Sequence, residues 1–357
     1  MKNLQKYTRL LETGEVDALL LTSEVNRFYA AEFSISEGVA VICKTGSYYF
    51  TDSRYIEVAQ KNLPAFTVLM TDAEHSYVSR INAVIAAHGV SVMGFEENYL
   101  TYSAYLHYSE YLQAKLVPYQ KAISAFREVK EDWELDRMRR AQEITDQTFT
   151  YLCQIIKPGK TEKELAAELI FALSRFGADG PSFSPIVVTG AKTSMPHGVP
   201  GDEVVKDGDF VTLDFGALFQ GYCADMTRTV AVGHVTEEMK KVYNTVLQAQ
   251  LAGLAATRAG VPGKEIDGAA RQVIRDAGYG DYFGHGYGHS LGIEIHEAPN
   301  VNPSNANPMP AGAVCSAEPG IYLPGKFGVR IEDAVIITET GYINLTKSPK
   351  ELIVLPI

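Results

Sequence analysis

Two tripeptides, Pro158-Gly159-Lys160 and Pro262-Gly263-Lys264, stand 104 residues apart, and each joins a long helical pattern to a shorter one. Before the first, Leu135, Met138, Ala141, Thr145, Phe149, Leu152 and Ile156 keep one helical face. After it, Thr161 and Glu164 form a capping-box pattern for a helix through Leu165, Leu169, Leu173 and Phe176, closed by Gly177. Before the second tripeptide a helical pattern runs from Thr236 to Arg258, and a shorter helix through Val273 and Ile274 follows it. Each short helix leads into a segment that bears histidine, TGAKTSMPHG in the first case and GHGYGHSLGIEIHE in the second. Four elements recurring in one order predict a pseudo-twofold α+β domain, which we place at residues 123–357.

Residues 1–122 follow a different rhythm. VDALLLT reads as a buried strand, and VAVICK with SYYFTD reads as a hairpin. SRYIEVAQKN, YVSRINAVIAAHG and YSAYLHYSEYLQAK have helical apolar spacing, with the strand patterns FTVLM and VSVMGF between them. This alternation predicts an α/β domain. His75, His88 and His107 are scattered through it and form no constellation.

A formal charge of −11 argues against a nucleic-acid surface, which needs a basic stripe. The first residues lack the apolar core of a signal peptide, and no apolar run approaches the length of a membrane span. Cys43, Cys153, Cys223 and Cys315 lie far apart with no CxxC pair, so reduced thiols and a cytoplasmic location are expected.

The chemistry is concentrated in two hairpins and the histidine-rich segment. In VTLDFGALFQGYCADMTRTVAV, a hairpin centred between Phe219 and Gln220 sets Asp214 directly opposite Asp225, with Cβ atoms ~5 Å apart. In SAEPGIYLPGKFGVRIEDAVIIT, a turn centred on Gly325 sets Glu318 opposite Glu332. Like charges held together repel, and a bound cation removes that objection. Four carboxylates with a nearby histidine suit two divalent ions; manganese, cobalt, iron and zinc all fit the ligand type. Two metals roughly 3.5–4 Å apart can activate water and polarise a carbonyl together. Cys223, two residues before Asp225, is read as packing beside the site, since an oxygen-rich set needs no thiolate.

The motifs DFGALFQGYCADMTRT, GHSLGIEIHE, EPGIY and GVRIED, with PHG upstream, resemble those of the pita-bread metallopeptidases, the family of prolidase, aminopeptidase P and methionine aminopeptidase. With an N-terminal domain similar to those of the prolidase and creatinase group, the resemblance covers essentially the whole chain. It implies Asp214, Asp225, His289, Glu318 and Glu332 as ligands of two metal ions, most simply manganese, with Glu318 also the general base. It implies that His296 contacts the substrate carbonyl or tetrahedral intermediate, and that His197 helps hold substrate and exchange protons. His285 matches a histidine lining the pocket near the leaving proline, and Arg330 an arginine that pairs with active-site acids. Tyr222 and Arg228 flank Asp225 and are candidates for supporting it.

DMTRT and the large N-terminal domain point to the proline-specific branch, hence to short proline-containing peptides as substrates and to a homodimer. Some prolidases carry an arginine shortly after HE to receive a dipeptide's free carboxylate, where this chain has Asn300. That difference favours an Xaa-Pro aminopeptidase over an Xaa-Pro dipeptidase. A metal-independent creatinase-like hydrolase or a non-catalytic binding module is the alternative from another class; such relatives typically lose ligands that are all present here.

Overall fold

The structure is a computed structural model that describes residues 2–357. The chain forms two compact units, one ending at Phe126 and one spanning Arg127–Ile357.

The first unit is built on a six-stranded mixed sheet. Its strands are β1 (Ala18–Leu21), β2 (Val39–Cys43), β3 (Ser47–Thr51), β4 (Thr67–Met70), β5 (Val92–Phe95) and β6 (Lys115–Pro118), in the order β4-β3-β2-β1-β5-β6. β1 and β2 are buried along their whole length, which explains their unbroken apolar sequence. The expected hairpin is present, with Val39 opposite Phe50. Helices α1 (Lys2–Leu10), α2 (Glu24–Ala31), α3 (Ile56–Asn62), α4 (Tyr77–His88), α5 (Tyr102–Tyr111) and α6 (Gln120–Ala125) complete the unit. The pattern read as one helix through Lys115 divides: α5 stops at Tyr111 and Lys115–Pro118 becomes the edge strand β6, parallel to β5. A four-residue edge strand leaves too few residues for a periodicity to register.

In the second unit the long helices are α7 (Asp132–Ile155) and α9 (Glu237–Ala256), and the shorter ones are α8 (Glu162–Phe176) and α10 (Gly263–Asp276). The seven residues expected on one face of α7 are all buried. Thr161 and Glu164 close the expected capping box on α8, and Gly177 ends it in the left-handed conformation at φ +102°.

The strands repeat as the helices do. The first half has β7 (Gly180–Pro181), β8 (Ile186–Thr189), β9 (Phe210–Phe215), β10 (Ala217–Phe219), β11 (Tyr222–Cys223) and β12 (Met226–Val232). The second has β13 (Gly288–Ser290), β14 (Glu297–Val301), β15 (Val314–Ala317), β16 (Gly320–Leu323), β17 (Phe327–Arg330), β18 (Asp333–Ile337), β19 (Tyr342–Asn344) and β20 (Val354–Leu355). In the first half β8, β9 and β12 pair antiparallel in turn, with the β10–β11 hairpin inserted between β9 and β12. In the second, β13, β15 and β18 pair antiparallel in turn, with the β16–β17 hairpin inserted between β15 and β18.

The α7–α8 pair shares a core with β8, β9 and β12, whereas α9–α10 shares one with β15–β18. The halves meet where the Glu332 N–H donates to the Thr227 carbonyl at 3.0 Å.

Candidate metal centre

Both hairpins deliver their acids to this seam, and one does so in the expected register. Gly320 pairs with Arg330 at one end of the β16–β17 ladder, and Ala317 pairs with Asp333 where β15 meets β18. Glu318 and Glu332 stand between those two pairs, just outside the strands, where neither backbone is held by a regular ladder.

The other register differs by two residues. Asp214 pairs with Thr227, and Phe219 pairs with Tyr222, so the turn is centred between Gln220 and Gly221. Both turn residues have positive φ, +48° and +80°, the conformation of a two-residue type I′ hairpin. Asp225 therefore lies diagonal to Asp214 instead of directly opposite. A two-residue slip keeps the side chain on the same face, because strand side chains alternate with a period of two. The ladder breaks beside Asp225, where Gly216 meets the Ala224 carbonyl so closely that a Cβ there would lie 1.7 Å from its oxygen.

The acids, the histidines and Arg330 line one cleft of about 600 Å³. His289 Nε2 lies 3.5 Å from Asp225 Oδ2 and 3.3 Å from Glu318 Oε1. Ligand atoms of Asp225, His289 and Glu332 all fall within 4.8 Å of one another. His289 Nδ1 donates to the Ser290 carbonyl at 3.2 Å, which leaves Nε2 with the lone pair a metal requires. Ser316 Oγ accepts from the His289 N–H and donates to Glu318 Oε1, at 3.0 and 3.1 Å.

The electrostatics favour a cation. Burial pushes the carboxyls of Asp225 and Glu332 well above the ordinary carboxylate range, and the charges of the neighbouring acids push them further. Burial also raises Glu318, with Asp214 adding to it and His285 and Arg330 opposing. Burial holds His289 below the usual histidine range, in the neutral form that ligates metals. Glu332 Oε2 accepts from Thr227 Oγ1 at 2.6 Å, yet its buried Oε1 accepts no hydrogen bond from the described residues. Buried carboxylate oxygens without donors are rare in folded proteins. A divalent ion fits this donor set: it neutralises the crowded acids and gives Glu332 Oε1 a partner.

The remaining histidines divide by environment. His296, which is exposed, sets its ring edge-on to that of His289, with centroids 4.4 Å apart. Its pKa is lowered by burial of part of the ring and by the nearby His289 and His197. His197 is exposed on the cleft wall after β8. His285 donates from Nδ1 to the Gly286 carbonyl and accepts at Nε2 from the Tyr322 hydroxyl, both at 2.8 Å. Burial lowers its pKa, in keeping with that neutral arrangement.

Arg330 is buried and ion-paired with Asp214, donates to Tyr322 Oη at 2.9 Å, and reaches Thr227 Oγ1 at 3.0 Å. Its contact with Glu332 thus runs through Thr227. Tyr322, which joins His285 to Arg330, escaped the sequence reading, although EPGIY contains it. Its hydroxyl is pushed up to about 12, chiefly by burial, so it stays a donor to His285.

Glu297 also went unread. It accepts from Lys130 Nζ at 3.0 Å and from the N–H groups of Ile293 and Glu294 at 3.1 and 3.2 Å, closing the loop that carries His296. Cys223 packs against that loop, its Sγ 3.4 Å from the Ile293 carbonyl and its thiol raised by burial to about 12. All four cysteines are free thiols. Tyr222 points away to Glu134 on α7, at 2.8 Å. Asn300 is exposed on β14 and does not line the cleft, whereas Asn302 does.

Two helix-pair-and-sheet halves, with acids and histidine converging at their seam, define a pita-bread metallohydrolase. Residues 136–339 match the model of metallopeptidase family M24, and residues 3–129 match that of the creatinase/prolidase N-terminal domain. The chain belongs to metallopeptidase family M24, in the branch of the Xaa-Pro peptidases.

It is similar over 99% of both chains to an Xaa-Pro dipeptidase from Bacillus anthracis, with 39% identity and a TM-score of 0.95. An X-Pro aminopeptidase from Thermotoga maritima matches with 34% identity and a TM-score of 0.93, over 98% of this chain and 99% of the other. An Xaa-Pro dipeptidase of Pyrococcus horikoshii is 32% identical over 99% of each chain. Among the described residues no helix is long and apolar enough to cross a membrane.

Proposed function

We propose that the chain is an Xaa-Pro aminopeptidase that uses two divalent metal ions to remove the first residue of short peptides bearing proline second. The observation that carries this reading is the convergence of five ligand-type side chains on one cleft, with the buried Glu332 Oε1 left without a protein donor. Asp214, Asp225, His289, Glu318 and Glu332 would hold the ions, with manganese the first candidate and cobalt, iron or zinc the others. When bound, such ions supply an acidified water and polarise the scissile carbonyl.

The protein's own groups do the rest. Glu318, oriented by the Ser316 hydroxyl, takes the proton of the attacking water. His296 donates to the carbonyl oxygen as charge develops there. His197, on the cleft wall, exchanges the proton that the leaving nitrogen needs. His285, held by Tyr322, walls the side where proline leaves.

The aminopeptidase reading draws on the cation content of the cleft. Its one guanidinium or ammonium group among the described residues, Arg330, is already paired with Asp214. A dipeptide's free carboxylate calls for a further cation. Asn300 supports the reading less than its sequence position suggested, because its side chain does not line the cleft. Xaa-Pro dipeptidase is the second reading, favoured by the name of the Bacillus anthracis relative.

The test uses metal-stripped protein reloaded with manganese, given an Xaa-Pro dipeptide beside an Xaa-Pro-Xaa tripeptide. Preferential release of the first residue from the tripeptide supports the aminopeptidase; dipeptide-only cleavage supports the second reading. Cleavage of neither, with each of the four metals, sinks both. In the same assay Glu318→Gln is expected to abolish turnover while at least partial metal binding survives in a direct metal analysis.

A further inference from the structure

Successive residues of β12 point to opposite sides. Thr227 turns toward the cleft and donates to Glu332 Oε2. Arg228 turns away and is 1% exposed. A guanidinium carries five N–H donors, and those of Arg228 meet five acceptors. Nε donates to Pro349 O at 2.9 Å. Nη1 donates to Thr227 O at 2.9 Å and to Glu332 O. Nη2 donates to Ser348 O and to Asp333 Oδ1, both at 2.7 Å. Asp333 is fully buried and accepts also from Lys350 Nζ and from Asn344 Nδ2, the latter at 2.8 Å.

A buried ion pair is weak evidence of stabilisation, because desolvation offsets its attraction. What this one does is geometric. Four of the five acceptors on Arg228 are backbone carbonyls, drawn from β12, from Glu332 and from the C-terminal segment. The same planar fork therefore fixes Thr227 and Glu332 relative to each other across the seam. Thr227 in turn holds Glu332 Oε2, which leaves Oε1 without a hydrogen bond among the described residues. A lysine would retain the charge but lacks the fork.

We infer that Arg228 and Asp333 are a positioning pair that sets the Glu332 carboxylate for metal binding from behind the site. The inference rests on reading Glu332 as a metal ligand. Neither side chain lines the cleft; both act through the backbone of residue 332.

The test compares the full-length protein with Arg228→Lys and Asp333→Asn. The Kd for Mn2+ is measured by competition with a chromophoric chelator, and Tm is measured with and without the metal. Arg228→Lys is expected to weaken Mn2+ binding about 10- to 100-fold, as loss of an outer partner of a ligand does elsewhere. Asp333→Asn, which keeps the shape and removes the charge, is expected to weaken it in the same direction but less.

A merely structural pair would lower the Tm of the metal-free protein and leave the Kd within about twofold of the original. That result in Asp333→Asn overturns the inference, even if Arg228→Lys fails to fold. Glu332→Gln separates the two levels. If that variant binds Mn2+ as tightly as the unaltered chain, the ligand reading itself has failed, whatever the Arg228 variants do.

Discussion

Glu332 shows how far one residue's environment can be read as chemistry. Burial and the charges of Asp225, Glu318 and Asp214 all oppose its ionisation. The sign of the resulting pH dependence follows. A carboxyl whose folded pKa lies above its unfolded value binds more protons in the folded state between the two values, so stability falls as pH rises through that window. In metal-free protein Glu332→Gln is therefore expected to be more stable than the original chain at neutral pH. The difference should shrink as pH falls toward the ordinary carboxylate value of about 4. Chemical denaturation of both proteins across that range checks it; a gap that widens on acidification contradicts the assignment. The sequence showed Glu318 and Glu332 as an opposed pair because EPGIYLPGKFGVRIED contains an unambiguous turn. It did not reveal Asp333 or Glu297, since a second acid beside a motif acid looks like an ordinary polar residue until its buried partners are known.

At the scale of elements, turn chemistry decided which expectations held. Pro324-Gly325-Lys326 marked its own centre, and the register around it is the expected one. Phe219-Gln220-Gly221 did not, because glutamine at positive φ is uncommon, and the strand pairing shifted by two residues. The face survived the shift, and so the acids still converge. Gly221 at φ +80° carries a requirement that can be measured. Gly221→Ala is expected to cost about 1–2 kcal/mol, the penalty of a left-handed Cβ. A urea titration that finds no loss would mean the turn adopts another type. The long helices were legible from periodicity alone, whereas α1, α2, α6 and β6 were not, being short or packed by tertiary contacts that no local pattern encodes.

At the scale of the whole molecule, the repeat read from two PGK tripeptides is the organising fact. Each half contributes a helix pair, three antiparallel strands, an inserted hairpin and one acidic pair, and the cleft lies where the halves meet. The architecture was visible because helix caps and turns recur in order; the seam was not, because its hydrogen bonds join residues more than a hundred positions apart. Homodimerisation is proposed from the family resemblance alone. Sedimentation equilibrium is expected to return twice the chain mass, and a monomer at micromolar concentration would remove it.

The division of the proposed ligands between halves has a consequence during synthesis. Asp214 and Asp225 leave the ribosome long before Glu318 and Glu332, and the carbonyls of Ser348 and Pro349 that anchor Arg228 follow later still. A nascent polypeptide thus holds two of the five proposed ligands until His289 and the second hairpin have been made. A translation product that stops before the second hairpin would lack Glu318 and Glu332, and with them two of the five proposed ligands.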